Sequence, residues 1–435
     1  MEKNNFRKIA TITLFESAVQ WYCFLLYGTA AGTVFHKVFF SQTGNGTTAL
    51  ILSYMSFAIG YIAGPFGAVF FGHIGDRKGR KVTMYASLLM MGISTSIIGI
   101  LPPAASAGVG VVIVLQLMRL AQFFGRGGTW GGGILMAYEN VPENKRSFYA
   151  AIPQIGLPIG FGLSSILIAV PTLLLPEDIF FTWGWRIPFL AAIILTVIVI
   201  RQKGEMMETE DYKKAQAKLE AEEAEGKKHK VGFIPMVKGY WKTLLLGCGT
   251  RWVDGTFYNI FIVWILSYCI NWLGMPLIQT YIITIIACIF KIPFTLFGGW
   301  CAQKLGNTRT FVIGALASAV LSIPTLKVIE LSKGNLAITI IGIVLGWSIA
   351  YNLIWAVISS LWSSYFETEV RYSGISFVYH VPSFLVAGMV PTICTLLINY
   401  GKGDTIYVGI YSTVVALISA ACALALKARH DRGEK

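Results

Sequence analysis

Residues 72–81 have the sequence Gly72-His73-Ile74-Gly75-Asp76-Arg77-Lys78-Gly79-Arg80-Lys81. They separate two long apolar runs, Ala49–Phe71 and Val82–Leu101. Since neither run can end inside lipid with unpaired backbone groups, each is predicted to be a membrane-spanning helix. Five of the ten residues are charged, and four of these are basic. Short basic loops face the cytoplasm, so this loop predicts the orientation of the whole chain.

The composition is that of a membrane protein. Of the 435 residues, 55% are hydrophobic and only 13% are charged, and the mean hydropathy is +0.64. Soluble domains have about 25% charged residues. The net charge of +13 comes mainly from loops beside apolar runs, which indicates membrane topology and not nucleic-acid binding. The sequence contains no nucleotide-binding loop, metal-ligand cluster or nucleophile–base pair, so we expect neither an enzyme nor a cofactor.

Twelve apolar runs have the length of a membrane span, about 20 residues. They cover residues 12–38, 49–72, 83–102, 109–138, 148–173, 185–201, 241–270, 276–301, 309–329, 336–363, 374–399 and 405–426. We therefore predict an all-α membrane protein with two six-helix bundles, at residues 1–201 and 241–426. Residues 202–240 are predicted to be a cytoplasmic linker that contains a helix, and residues 427–435 a cytoplasmic tail. Both termini are basic, as an even number of spans requires.

An internal repeat supports the two bundles. A weaker copy of the first basic loop occurs later in the chain, and alignment of Gly306 with Gly79 gives an offset of 227 residues. Alignment of Arg371 with Arg146 in a second pair of loops gives 225 residues. Two anchors with nearly one offset indicate a duplicated six-helix unit. Transporters built from such repeats bind their substrate between the halves, near the bilayer midplane.

Several segments resemble the metabolite:proton symporter branch of the major facilitator superfamily, which carries organic acids, betaines and related metabolites. They are residues 20–24, 26–28, 72–81, 119–122, 127–132, 153–160, 183–190, 370–374 and Tyr379. The resemblance covers nearly the whole chain. It implies a two-bundle transporter that works by alternating access and couples uptake to protons.

The chain departs from the family pattern at four positions in its spans. Gln20, Cys23 and Thr129 stand where the family usually has carboxylates, and Gly64 stands where it has an arginine. The resemblance implies proton coupling through such carboxylates. Facilitated diffusion or exchange therefore stays open as an alternative to proton symport.

Ionisable groups inside spans cost about 2.5–3.5 kcal/mol each to insert, so they are functional candidates. Arg119 and Arg126 are seven residues apart in one span and project from about the same face. A guanidinium pairs with a carboxylate through two hydrogen bonds, which predicts an anion-binding pair. The alternative is that Arg119 pairs with backbone carbonyls and Arg126 reaches the cytoplasmic interface. The other substrate-binding candidates are Gln20, Tyr27, Gln154, Tyr258, Asn259 and Lys291.

Three titratable residues in spans are candidates for proton coupling: Asp254, His380 and Glu16. A carboxylate in a partly dry cavity can load and release protons, and histidine titrates near neutral pH. For Asp254 the alternative is a structural ion pair with Arg251 or Lys291. For His380 the alternative is a hydrogen-bonded packing role.

The first basic loop also resembles the gate latch of the family, which ties the halves together and releases on switching. The predicted gating residues are Gly72, Asp76, Arg77, Gly79 and Arg80. A role in topology alone would explain the cations but not the acidic residue or the glycines.

Together these features predict a secondary transporter of a small organic acid in the cytoplasmic membrane of a prokaryote. Cationic side chains outnumber anionic ones in the predicted cavity, which favours an anionic substrate. The proton gradient is the expected energy source, and we expect a monomer in the lipid bilayer. A zwitterionic osmolyte as substrate, and a membrane sensor that no longer transports, remain alternatives.

Overall fold

The computed structural model of the chain describes residues 2–42, 46–78, 80–139, 146–202 and 233–434. In this part the chain forms helices and no β-strand. The helices fall into twelve spans, as the apolar runs predict, and we number them α1–α12. The predicted linker helix between the two halves lies outside the described residues.

The first half comprises α1–α6. Four of these spans are single helices, namely α1 Glu2–Thr33, α2 Gly46–Lys78, α3 Arg80–Ile100 and α4 Val109–Glu139. Short helices at Phe35–Val38 and Ala104–Ala107 lie in the connections. The other two spans are segmented: α5 consists of Arg146–Ala150, the 3₁₀ turn Pro153–Ile155 and Gly156–Leu174, and α6 consists of Glu177–Ile179, the π-helical segment Phe180–Gly184 and Arg186–Gln202.

The second half comprises α7–α12. Three spans are single helices, namely α8 Leu277–Leu305, α9 Asn307–Leu331 and α12 Ile406–Asp431. The other three contain a π-helical segment, named second in each: α7 is Phe233–Asn259, Ile260–Trp264 and Ile265–Asn271; α10 is Leu336–Ile343, Val344–Ala350 and Asn352–Tyr365; α11 is Thr368–His380, Phe384–Gly388 and Val390–Tyr400.

Ten of the described spans are long and apolar enough to cross a membrane by length and composition. The other two are α1 and α11. The first turns of α1 contain Lys3, Arg7 and Lys8, and α11 is interrupted and polar in its first segment. Both helices pack within the twelve-helix bundle.

The predicted loop at residues 72–81 is wrong in extent. The helix α2 continues to Lys78 and α3 begins at Arg80, so a single position separates the two helices. Beyond the lipid boundary, charged residues still favour helix, because their backbone groups remain paired along the helix. The corresponding helices of the second half, α8 and α9, are also separated by one residue, Gly306, whose φ of +89° is accessible mainly to glycine. The predicted repeat therefore recurs as two pairs of helices that are each separated by one position.

Four other spans begin well before the predicted position. The span α1 begins at Glu2 and not at 12, α6 at Glu177 and not at 185, α7 at Phe233 and not at 241, and α11 at Thr368 and not at 374. In each case polar or aromatic residues before the apolar run extend the helix. The element count and order are unchanged.

The two halves touch at both ends of the bundle. At the end opposite the basic loop, Tyr54 of α2 donates a hydrogen bond to Ser267 of α7 (2.7 Å). At the end that carries the basic loop, the backbone amide of Phe148 donates to the side chain of Gln303 (3.4 Å). Because both ends are in contact, the helices enclose the residues at the centre between them.

Candidate substrate site

Arg119 lies at the centre of the first half and is fully buried. Its guanidinium donates to Gln122 Oε1 (2.6 Å) and to the backbone carbonyl of Phe57 (3.4 Å). It is covered by four aromatic rings, with centroid distances of 4.1–5.2 Å to Tyr27, Phe57, Phe123 and Phe24. Among the described residues no carboxylate pairs with it, and its Nη2 has no hydrogen-bond partner. A fully buried cation without a counter-ion is costly, so this site favours an anion.

Arg126 lies two turns further along α4, where the halves meet. Its guanidinium is 4.1 Å from the ring centroid of Trp21 and 4.0 Å from that of Phe24. Its Nη2 donates a 2.8 Å hydrogen bond to the hydroxyl of Tyr379 on α11. The two arginines therefore face the same aromatic cluster, as their spacing predicts. Arg126 is 2% exposed, and its guanidinium is bound to the opposite half.

Two tyrosine hydroxyls complete the polar lining. Tyr61 of α2 and Tyr258 of α7 are buried, and neither hydroxyl has a hydrogen-bond partner in the described part of the chain. Both lie within electrostatic range of Arg119 and Arg126. A ligand oxygen at this place could accept from the arginine and from the hydroxyls, which are otherwise unsatisfied.

Asp254 is held by an ion pair inside the second half. Its Oδ2 contacts Nη1 of Arg251, one turn earlier on α7, and its Oδ1 accepts a 2.5 Å hydrogen bond from the hydroxyl of Tyr351 on α10. All three side chains are buried. The carboxylate thus has the arginine partner that the sequence offered as an alternative to proton coupling. Any proton exchange at Asp254 must first loosen this pair.

Lys291 of α8 belongs to a separate cluster. Its ammonium donates to Asn352 Oδ1 (2.8 Å) and to the carbonyl of Trp347 (3.4 Å). It lies 4.5 Å from the ring centroid of Tyr351, the residue that binds Asp254. Lys291 makes no ion pair with Asp254, although the two are within electrostatic range. Its described contacts tie α8 to α10.

The remaining substrate-binding candidates have other roles or neighbours. Gln154 and Trp355 form a reciprocal link between the halves: Gln154 Nε2 donates to the carbonyl of Trp355 (3.3 Å), and Trp355 Nε1 donates to that of Gln154 (3.0 Å). The ring of Tyr27 packs on Arg119, and its hydroxyl forms a hydrogen bond with the hydroxyl of Ser56. Asn259 donates to the carbonyl of Gly255 (2.8 Å). Gln20 is buried on α1, and its predicted role in substrate binding stays a prediction.

The other proton-coupling candidates are both buried. His380 packs its ring 4.9 Å from that of Tyr379 and lies within electrostatic range of Arg126 and Arg251. Its Nδ1 would be only 2.8 Å from a Cβ built on Gly64, so the glycine in α2 makes room for the histidine. Glu16 is 3% exposed on α1, before the aromatic cluster.

The gating prediction stays a prediction. The backbones of Gly72, Asp76 and Arg77 belong to the last turns of α2, and Arg80 begins α3. Their side chains, and Gly79 as a whole, lie outside the described part of the chain.

The sequence does not identify several residues that complete the site. Tyr61, Trp355 and Tyr351 come from three spans, and no spacing in the sequence brings them together. Gln122 could have been found, because it lies one helical turn from Arg119 and can accept from it. Arg251 enters the sequence argument only as a partner of Asp254, whereas it also faces Tyr379 at 4.4 Å.

Curated relatives cover almost the whole chain. It is 33% identical to the inner membrane metabolite transport protein YhjE of Escherichia coli strain K12, over 98% of this chain and 96% of that protein. It is 31% identical to the shikimate transporter of the same strain, over 97% and 94% of the two chains. A proline/betaine transporter of Salmonella typhimurium is 27% identical, over 99% and 85%. These relatives are transporters and not enzymes.

A solved structure has the same fold. The crystal structure of a D-xylose-proton symporter superimposes with a TM-score of 0.70 at 16% identity, and the match covers 96% of each chain. Residues 22–391 match the Major Facilitator Superfamily. The resemblance read from the sequence motifs and the twelve-helix fold class are thereby confirmed. The chain is a multi-pass membrane protein and belongs to the major facilitator superfamily.

Proposed function

We propose that the protein transports a small organic acid across the cytoplasmic membrane by alternating access. The substrate carboxylate binds at Arg119 and Arg126, between the aromatic rings of the two halves. The hydroxyls of Tyr61 and Tyr258 bind further substrate oxygens. The family and the relatives support a metabolite transporter. The assignment of a carboxylate as the substrate group is our proposal.

The observation that carries this proposal is the environment of Arg119. It is a fully buried cation whose described contacts are two neutral acceptors and four aromatic rings. Guanidinium groups bind carboxylates bidentately and stay charged at any relevant pH. A zwitterion would bring a second cation close to two arginines. The carboxylate that could receive that cation, Asp254, is already paired with Arg251.

Proton coupling is assigned to Asp254. Its two oxygens are bound by Arg251 and Tyr351, in a network that faces the first half across Tyr379. As the halves move, this pair loosens, and a proton then takes the place of the counter-ion at the carboxylate. His380 and Glu16 are the secondary candidates. The proton gradient is then the energy source.

Alternating access fits the contacts between the halves. Tyr54–Ser267 closes one end and Phe148–Gln303 the other, and these contacts must open in turn. Both termini face the cytoplasm in this proposal, since basic loops mark the inner side. The protein acts as a monomer in the bilayer, because one chain supplies both halves of the site.

The experiment that tests this function uses the purified full chain in liposomes. Uptake of radiolabelled acetate, succinate, citrate, shikimate and betaine is followed with and without an inward proton gradient. We expect accumulation of at least one carboxylate that collapses with the gradient. A variant with Arg119→Gln should lose this uptake, and a matched variant with Arg186→Gln should keep the affinity. Arg186 is a buried arginine that donates to the carbonyls of Gly99 and Leu101, away from the site.

Each other outcome names a different function. Equilibration that ignores the gradient makes the protein a facilitator or exchanger. Accumulation of betaine alone makes it an osmolyte transporter and removes the anion from the proposal. Binding of a carboxylate without flux makes it a sensor.

A further inference from the structure

One side chain connects the charged groups of the two halves. The hydroxyl of Tyr379 accepts a 2.8 Å hydrogen bond from Arg126 of α4. The ring of the same tyrosine covers Arg251 of α7, with 4.4 Å between the guanidinium carbon and the ring centroid. Arg251 in turn holds Asp254. Tyr379 is therefore the single residue between the proposed substrate ligand Arg126 and the Arg251–Asp254 ion pair.

The three spans that hold this network in the second half are all interrupted beside it. Tyr351 directly follows the π-helical segment Val344–Ala350 of α10. Tyr379 and Asp254 each lie less than two turns before such a segment, namely Phe384–Gly388 of α11 and Ile260–Trp264 of α7. Such segments are frequent at functional sites and mark places where a helix can change its course. By contrast, α4 is continuous through both of its arginines.

We infer that Tyr379 is a positioning residue that links substrate binding at Arg126 to release of the Arg251–Asp254 pair, an inference that rests on the proposed function. In the closed structure its hydroxyl occupies a donor of Arg126 that a carboxylate needs. An arriving carboxylate displaces that hydroxyl. The first segment of α11 is then free to move about its interruption, and the ring leaves Arg251.

This exchange of partners has a measurable consequence. Part of the free energy of substrate binding is used to break the hydrogen bond between Arg126 and Tyr379, so the measured affinity is lower than the contacts alone would give. Substitution Tyr379→Phe keeps the ring over Arg251 and removes the competing hydroxyl. Substrate should bind about two- to tenfold tighter, the range that corresponds to one hydrogen bond. The maximal rate of net uptake should fall by a similar factor, because binding no longer drives the movement of α11.

A structural role for the hydroxyl predicts the opposite change in affinity. Loss of a supporting hydrogen bond would loosen the site, so substrate would bind more weakly and the protein would unfold at lower temperature. The matched control is Tyr22→Phe, because the hydroxyl of Tyr22 is also buried and donates to the carbonyl of Pro188 within the first half. That variant should lower the melting temperature and leave affinity and rate unchanged.

The test measures equilibrium binding to the purified full-length variants and uptake into liposomes, with acetate, succinate, citrate and shikimate as probes. Wild-type binding is measured first. If the wild type binds none of them, the proposed function fails and this inference falls with it. If the wild type binds one and Tyr379→Phe binds it equally or more weakly, the inference alone is overturned. Tighter binding together with slower uptake supports it.

Discussion

Arg119 of the first half and Arg251 of the second half are both buried, but their environments are opposite. In the first half, Arg119 and Arg126 lie on one continuous helix, and Arg119 has no described acidic partner. In the second half, Arg251 is paired with Asp254, and the helices around the pair are interrupted by π-helical segments. Uncompensated charge on a rigid support suits binding of an anion. Compensated charge on interrupted helices suits a group that changes partner during transport.

This division has a consequence for the halves of other repeat-built transporters. One position separates α2 from α3 and one separates α8 from α9, as a repeated six-helix unit predicts. The two copies need not keep the same role at the centre. In the proposed function the first half supplies both arginines of the substrate site and the second half supplies the ion pair that changes partner, and Tyr379 contacts one arginine of each half.

The largest expected effect comes from Arg119. Substitution Arg119→Gln should weaken carboxylate binding about 30-fold or more, because loss of one partner of a buried charge pair costs about 2–5 kcal/mol. Binding to the purified protein measures this directly, with Arg186→Gln as the control for loss of a buried arginine. Unchanged affinity in Arg119→Gln protein would end the assignment of anion binding to the first half.

The next effect compares the rigidity of the halves. A Cβ at Gly67 would lie 2.0 Å from the carbonyl oxygen of Phe124 on the continuous helix α4, and one at Gly255 would lie 2.4 Å from that of Val386 in the π-helical segment of α11. Gly67→Ala should cost at least about 3 kcal/mol of folding stability, the upper range for overpacking. Gly255→Ala should cost less, since the interrupted helix can shift.

Thermal unfolding in detergent gives the comparison, and Gly110→Ala is the control because no atom lies within 4 Å of a Cβ built there. Equal losses for the substitutions at Gly67 and Gly255 would show that the interruptions give the second half no extra compliance.

The smallest effect concerns an ion pair of the second half that lies away from the π-helical segments. Asp404, in the turn before α12, accepts from Lys327 (2.7 Å) and from the amide of Ile406 (2.7 Å), and these bonds hold its pKa below the usual value. A depressed pKa stabilises the fold above the unfolded pKa, and this contribution is lost as the pH falls through the folded pKa.

Substitution Asp404→Asn should therefore lower the melting temperature by about 1–2 °C at neutral pH, as expected for a partly exposed pair, and by less at acidic pH. Transport rates should not change. A loss of transport in this variant would mean that transport also requires ion pairs of the second half other than the Arg251–Asp254 pair beside Tyr379.

Most of the fold could be predicted from the sequence. Apolar runs of membrane length mark all twelve spans, because lipid requires each span to pair its backbone internally. The turn between α2 and α3 was predicted too long, since hydropathy records where lipid ends and not where the helix ends. The π-helical segments were not predicted, because an inserted residue within a helix leaves no apolar periodicity to detect.

The site was predictable only in part. Arg119 and Arg126 stand out because ionisable residues are rare in spans and their spacing places them on one face. Gln154 was predicted to bind substrate, and its described contacts are with Trp355 across the halves. That pairing, like the one between Arg126 and Tyr379, joins residues more than 200 positions apart. A single sequence contains no signal for such contacts.

The central claim is that the two arginines of the first half bind the substrate carboxylate and that Asp254 of the second half carries the coupling. Its most direct test is equilibrium binding and gradient-driven uptake of the same carboxylate by Asp254→Asn protein in one preparation. The account predicts that affinity stays within about threefold of wild type, a difference of less than 1 kcal/mol, while accumulation against the gradient is lost. If the variant loses both binding and accumulation, the claim is contradicted, because Asp254 would then belong to the substrate site itself.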